Sequence, residues 1–516
     1  MPRKGSRQRA ASKRSLATAL LDPACYDHEV GKIRLAETHI SWVFLTGHYA
    51  YKVKKPVKLP FLDFSTLPRR LHFCREELRL NRRLAPELYL DVVPIGGSPE
   101  SPRVGRKPAF EYAVKMRQFA ADARLDQRLK ANAVPRAAVA EFAKRLAAFH
   151  RSLPPLKTDP EGRAAQAAAR DNFAALETYV RGRRREELAA LRAWTERECA
   201  SLTHVFAQRT AAGAERECHG DLHLENLLWH DGAIVAYDAL EFDPALREID
   251  VVSEASFLAM DLIAHGRPEL AYEFLNRYFE ASGDYAGIDV LRFYLVYRAL
   301  VRAKVRAIKA AQNGHELRAD PYLTTAHALC RPRQPLLLIT HGLSGSGKTT
   351  ITDELVGPLR AVRVRSDLER KRLHGLAAEA RTGSDVGQGL YVPQATRSTY
   401  DRLATIADRA LRHGFSVIVD ATFLRSPERG TFRQIAAFHA ARFAILDCEA
   451  PADELRRRIV VRSEAGRDAS EATLAVLEQQ LATHEPLDDA ERRCALRVDT
   501  ALPLDYAALA KALAKL

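Results

Sequence analysis

Two short stretches of the chain carry residue types at the spacings that chemistry on phosphates requires. Residues 342–349 read GLSGSGKT and fit the pattern G-x-x-x-x-G-K-[ST]. Gly342, Gly345 and Gly347 let backbone N–H groups turn inward and cradle phosphate oxygens at a helix N-terminus. Lys348 would reach the β- and γ-phosphates, and the Thr349 hydroxyl would ligate Mg²⁺. Ser344, Ser346 and Thr350 belong to the same expected nucleotide site.

The second stretch, residues 218–243, reads CHGDLHLENLLWHDGAIVAYDALEFD. His219, Asp221 and Asn226 are spaced H-x-D-x-x-x-x-N, and the apolar run AIVAY then delivers Asp238. Asp221 would accept the proton of an acceptor hydroxyl. Asn226 and Asp238 would hold Mg²⁺, whose hardness suits amide and carboxylate oxygens. Such a site also needs a lysine on the phosphates. Lys52 and Lys54 alternate onto one strand face, with Lys55 on the other. Lys52 is preferred and Lys54 is close behind. Glu77 is the expected carboxylate partner, with Glu76 as the fallback.

The elements that would position these groups are legible in the pattern. Residues 33–60 mix β-branched and aromatic residues around a Thr-Gly turn and read as a hairpin. Residues 68–85 carry apolar residues at helical spacing, and Arg103–Phe119 reads as two strands around Pro108. Residues 135–215 and 245–318 are helical in pattern, with short strands between. After the Pro-containing link RPRQP near 331, PLLLITHG reads as a buried strand that opens into a helix. Strand and helix signals alternate from there on, as a parallel α/β sheet requires. Residues 1–14 are expected to form a basic disordered tail, 15–330 the first catalytic domain and 331–516 the second.

Three later segments suit a kinase acting on a small molecule or a nucleic acid. In VRVRSDLERKRLHG, Asp367 at a strand end would act as base and Arg370 would hold substrate phosphate. The strand FSVIVD ends in Asp420, placed to hold water on Mg²⁺ or to position substrate. In DELRRRIVVRSEAGRDAS, Arg458 and Arg462 are four apart and share a helix face, from which an arginine could close over the transferring group.

Both halves resemble known families. Residues of about 335–500 resemble the P-loop kinases that include phage polynucleotide kinase and zeta toxins. That resemblance implies phosphoryl transfer from ATP to a hydroxyl, with Asp367 as base and Arg462 as lid residue. HGDLHLEN and YDALEF resemble the catalytic loop and metal-binding strand of aminoglycoside phosphotransferases, and LAAFHRSLP resembles the helix before that loop. His150 in that helix is read as packing. One departure is Glu225, which stands where that family usually has Gly. The resemblance implies a bilobal α+β protein-kinase-like domain ahead of an α/β P-loop domain.

Composition narrows the classes. The chain has 516 residues with ordinary apolar and charged content, which excludes a wholly disordered or fibrous protein. Seven scattered cysteines lack metal-ligand spacing and fit a reducing cytoplasm. The net charge of +14 is unevenly distributed. The tail contributes +6, and residues 215–289 hold 17 acids against four arginines, so everything outside that segment, tail included, carries +27. Arg298, Arg302 and Arg306 form a helical stripe that would lie against acids or solvent, or meet phosphate.

The expected activity is transfer of the γ-phosphoryl group of Mg-ATP to a hydroxyl of a sugar-like or aminoglycoside-like molecule. Nucleic acid is a less favoured partner and no membrane is expected. The alternatives are a polynucleotide 5′-hydroxyl kinase and a regulatory ATPase with one silent domain.

Overall fold

The computed structural model describes residues 15–59, 62–157, 159–315, 320–377, 380, 392–465 and 472–516. The expected basic tail, residues 1–14, lies outside them, as does most of the loop after Arg462. The chain forms two compact units. One runs up to Val134 and includes Glu217–Ile249; the other holds Pro135–Arg216 with Asp250–Leu516.

The first unit is built on an antiparallel sheet. Its strands are β1 (Arg34–Glu37), β2 (Ser41–Leu45), β3 (Tyr49–Lys54), β4 (Tyr89–Ser98), β5 (Ser101–Val104) and β6 (Ala109–Arg117). They lie in the order β1-β2-β3-β6-β4-β5. Phe44, Tyr51, Val53, Ile95 and Ala113 pack on one face. Ala50, Val114 and Met116 pack on the other, together with Cys74 of helix α1 (Leu67–Asn81). Successive β3 side chains alternate, so Lys52 and Lys54 project to the α1 side with Ala50. The hairpin β7 (Leu227–His230) and β8 (Ala233–Ala236) follows the candidate catalytic loop. Strand β4 has no counterpart in the sequence reading. Pro94, Gly96 and Gly97 interrupt its β pattern, and the sheet contacts override them.

The second unit begins with helices α2 (Arg136–Ser152), α3 (Arg163–Tyr179), α4 (Arg183–Ala211), α5 (Val251–Ala264), α6 (Pro268–Ser282), α7 (Ile288–Gln312) and α8 (Pro321–Cys330). α5 is buried on all sides from Val251 to Leu262, as its apolar sequence requires. α6 ends at Gly283, whose φ of 75° closes it in the left-handed conformation.

Residues 331–335 then lead into a five-stranded parallel sheet. Its strands are β9 (Leu336–His341), β10 (Ala361–Arg365), β11 (Ser416–Asp420), β12 (Arg442–Glu449) and β13 (Ala495–Asp499), in the order β10-β11-β9-β12-β13. Every residue of the central β9 is buried, which explains its unbroken apolar sequence. Helices α9 (Lys348–Leu359), α10 (Ser366–Leu373), α11 (Pro393–Arg412), α12 (Ser426–Phe438), α13 (Ala452–Ala465) and α14 (Leu474–Thr483) connect the strands. Ile351 and Leu355 of α9 join Leu336, Leu338, Ile418 and Leu446 in the core. Among the described residues no helix is long and apolar enough to cross a membrane.

Candidate active sites

In the first unit α1 lays Glu77 against the two lysines of β3. Lys52 Nζ is 2.8 Å from Glu77 Oε1 and 2.6 Å from Asp238 Oδ1. Lys54 Nζ is 2.7 Å from Glu77 Oε2 and also pairs with Glu241. Access separates them. The Lys54 side chain is wholly buried, whereas Lys52 is 13% exposed and reaches Asp238, itself 43% exposed. Burial alone would push the Glu77 carboxyl up, but the two ammonium groups outweigh it and hold it at about 2. Burial pushes Glu241 in the opposite direction, upward, against the pull of Lys54. Glu76 turns away and pairs with Arg79.

The catalytic-loop residues are tied together locally. His219 Nε2 is 2.9 Å from Tyr237 O, and the Asp221 N–H donates to Nδ1 at 3.3 Å. A carbonyl can only accept, so the ring is the neutral tautomer protonated on Nε2. It links the loop to the residue just before Asp238. Asn226 Nδ2 donates to Asp221 Oδ2 at 2.9 Å, and His223 Nε2 lies 3.2 Å from the same oxygen. Asp238 has a φ of 63°, uncommon for a residue with a side chain. Its N–H donates to the Tyr89 hydroxyl at 3.1 Å. Glu225 is exposed in the short turn Leu224–Asn226, and its φ is not positive. The backbone there has no need of glycine.

In the second unit β9 feeds the glycine-rich loop into α9. Gly342 has a φ of 139°, and a Cβ there would meet Cys448 O at 2.4 Å. Gly347 starts the helix with a φ of 77°. Lys348 Nζ donates to the carbonyls of Gly342 at 2.9 Å and Leu343 at 2.7 Å, and burial lowers its pKa. Ser346 lies behind the loop, its hydroxyl 3.3 Å from Lys348 Nζ. The Ser344 N–H donates to Gln480 Oε1 at 2.8 Å. Asp420, at the end of β11, is buried, and its Oδ2 is 3.3 Å from Thr352 Oγ1.

Asp367 falls in the first turn of α10, two residues past the end of β10, rather than at the strand end where the sequence pattern placed it. Arg370 lies one turn on, Nη1 to Oδ1 3.7 Å. Arg458 and Arg462 share a face of α13. Arg458 is pinned, donating to Thr500 O at 2.7 Å and Thr500 Oγ1 at 2.9 Å. Arg462 donates to Ala472 O at 2.9 Å. A pocket of about 1040 Å³ brings together Lys348, Thr349, Asp367, Arg370, Asp420 and Arg462, and Ser344, Gly345, Gly347 and Thr350 also line it.

The acidic segment is matched internally. Glu217 pairs with Arg79 in the first unit. In the second, Asp250 and Asp284 hold Arg209, and Asp289 pairs with Arg409. Arg298 and Arg302 are buried against Phe257 and Tyr322, and Arg306 pairs with Asp320. The arginine stripe is therefore mostly interior and offers little to a nucleic-acid strand. His150 is buried, with Nδ1 2.8 Å from the Tyr278 hydroxyl and Nε2 3.2 Å from Glu254 Oε1.

Residues 64–294 match the phosphotransferase enzyme family and residues 337–487 match an AAA domain. The protein Rv2004c of Mycobacterium tuberculosis strain H37Rv is 30% identical over 472 residues, covering 88% of this chain and 92% of its own. Mb2027c of Mycobacterium bovis matches to the same extent. The chain belongs to their family. It is a kinase-type phosphotransferase, with an aminoglycoside-phosphotransferase-like domain followed by a P-loop kinase domain.

Among solved structures, a choline/ethanolamine kinase family protein from Mesorhizobium loti shares 14% identity with this phosphotransferase at a TM-score of 0.36, covering 61% of this chain and 92% of that one. A gluconokinase from Sinorhizobium meliloti shares 20% at a TM-score of 0.26, covering 36% and 94%.

Several residues at these sites escaped the sequence reading. Glu241 stands three residues after Asp238 in the quoted YDALEF, yet no spacing rule announces that it pairs with Lys54. Tyr89 lies on the unanticipated β4. Gln480 reaches the P-loop from a distant helix without a motif of its own.

Proposed function

We propose that this phosphotransferase has two nucleotide sites, each moving the γ-phosphoryl group of Mg-ATP to a hydroxyl of a small molecule, sugar-like or aminoglycoside-like in kind. The observation that carries the reading is the 1040 Å³ pocket, lined both by the phosphate-binding Lys348 and Thr349 and by Asp367, Arg370 and Arg462. One cavity thus offers a nucleotide cradle, a base and cations. The functional halves in this reading are residues 15–330 and 331–516, in a cytoplasmic protein.

In the first half Asp221 takes the acceptor proton, Lys52 holds phosphate oxygens under the orientation of Glu77, and Asn226 with Asp238 holds the metal. Lys54 is a buried structural cation. In the second, Lys348 and the loop N–H groups hold the phosphates, Thr349 and Asp420 serve the metal, Asp367 is the base, and Arg462 neutralises the transferring group. These donors are all oxygens, which fits Mg²⁺. Mg²⁺ held by these residues would offset the charge of the nucleotide phosphates.

The test is a radiolabelled ATP transfer screen over sugars, aminoglycosides, nucleosides and oligonucleotides with wild type, Lys348→Ala and Asp221→Asn. Each substitution should abolish a separate part of the transfer. If neither lowers it, the two-site reading fails. If only oligonucleotides accept phosphate, the small-molecule reading fails.

A further inference from the structure

β10 lies at the edge of the parallel sheet, where one side of a strand has no strand partner. The helical part of the same unit supplies the missing bonds. Asn276 of α6 donates from Nδ2 to Ala361 O at 2.9 Å and accepts from the Arg363 N–H at 2.5 Å. One side-chain amide thus stands in for a paired peptide. The Tyr285 hydroxyl donates to Arg363 O at 3.2 Å.

The Arg363 side chain extends this contact toward the nucleotide loop. Its Nη2 is 2.7 Å from Glu280 Oε1 and 3.0 Å from Asp353 Oδ1. Its Nη1 is 3.4 Å from Thr352 Oγ1. A hydroxyl that accepts from a guanidinium keeps its own proton to give, and Thr352 Oγ1 shares it between Thr349 O at 3.1 Å and Asp420 Oδ2 at 3.3 Å. Glu280, Arg363, Thr352 and Asp420 are all buried, so this line of polar contacts is shielded from water. Thr352 belongs to α9, whose first residues hold the phosphates, and Asp420 ends the strand beside β9.

We propose that Arg363 is a positioning residue for the P-loop site, held by Glu280 of α6 and acting through Thr352 to fix the Asp420 carboxylate. It rests on the reading of that half as an Mg-ATP site. Thr352 engages Oδ2 and Arg365 Nε faces the same oxygen at 3.8 Å; without the Thr352 bond only that longer contact restrains the carboxylate's terminal torsion. Partners that orient a metal-serving carboxylate typically matter about 10- to 100-fold in metal affinity or activity. The helix that supplies Glu280 lies some 70 residues before the P-loop (348 against 280), so the second catalytic site depends on the helical part that precedes it.

The test uses the full chain and a fluorescent ATP analogue titrated with Mg²⁺. The P-loop component is the part of the signal lost in Lys348→Ala. Glu280→Gln removes the charge that holds Arg363. Thr352→Val cuts the link while leaving the Arg363–Glu280 pair in place, and urea unfolding confirms that each variant is folded. Each should raise the Mg²⁺ half-saturation of that component about 10- to 100-fold with nucleotide binding in EDTA unchanged. The double variant should be no worse than the weaker-binding single, because the two act in series. Wild-type Mg²⁺ dependence in folded Thr352→Val, or effects of the two substitutions that simply add, overturns the proposal. If Lys348→Ala removes no component, the Mg-ATP reading of that half fails and takes this proposal with it.

Discussion

Lys52 and Lys54 share a strand face and a carboxylate partner, yet replacing each by Met should have opposite consequences. Lys54 is wholly buried between Glu77 and Glu241, both buried. Lys54→Met leaves Glu77 with Lys52 but strips Glu241 of the cation paired with it. Removing one partner from a buried ion pair costs about 3–5 kcal/mol, because the remaining charge cannot reach water. Lys52→Met is gentler on the fold, since Glu77 keeps Lys54 and the half-exposed Asp238 can be solvated. Its cost should be about 1 kcal/mol.

Activity should follow the reverse order. In the proposed reading Lys52 holds phosphate oxygens, so its loss should lower transfer by the first site on the order of 100-fold. Trp42 and Trp229 lie in the first unit and Trp194 in the second. In a Trp194→Phe background, fluorescence therefore reports on the first unit during urea unfolding. With a slope of about 1–3 kcal/mol per molar urea, Lys54→Met should lower the midpoint by at least about 1 M. If Lys52→Met is the variant that unfolds early and Lys54→Met the one that loses transfer, the assignment of the two lysines is wrong.

Acid should weaken the first unit for a related reason. The Glu77 carboxyl is held at about 2, below its ordinary 4.5, so its contribution is complete above pH 4.5 and fades as pH falls toward 2. That contribution is about 3 kcal/mol, and the upward shift of Glu241 offsets part of it. Urea midpoints of the same fluorescence transition should fall between about pH 4.5 and pH 3, not between pH 6 and pH 5; a profile flat down to pH 3 contradicts the ion cluster. Gly342→Ala should abolish nucleotide binding at the P-loop, because φ is 139° and the new Cβ would collide with Cys448 O. Equilibrium binding of the fluorescent nucleotide would check this, and wild-type affinity in Gly342→Ala would refute it.

The chemistry was the most legible part of this sequence. A phosphate cradle needs glycines, a lysine and a hydroxyl within eight consecutive residues, so GLSGSGKT carries its meaning locally. The same holds for Asp221 and Asn226, whose side chains meet within one loop. What stayed hidden depends on partners distant in sequence. Alternation along β3 places both lysines on one face, but their partners nearly 190 positions away, Asp238 for Lys52 and Glu241 for Lys54, tell them apart. Composition gave a −13 segment, whereas its arginine partners lie at positions such as 79, 209 and 409. The Pro-containing link near 331 falls between the two family-matched stretches, 64–294 and 337–487, while the helices before it and the sheet after it pack as one compact unit. No local rule reveals that an asparagine side chain will close a sheet edge.

That closed edge has a bearing on how the chain is made. Synthesis runs from the N-terminus, so α6 with Asn276 leaves the ribosome before β10 does. When the parallel sheet assembles, a cover for its open side is already folded or folding nearby. Exposed strand edges invite pairing with other chains, a hazard greatest while a large protein is incompletely folded. The order of the segments in this gene product therefore places the guard ahead of the strand it guards. The reverse order would release the edge into the cell unprotected.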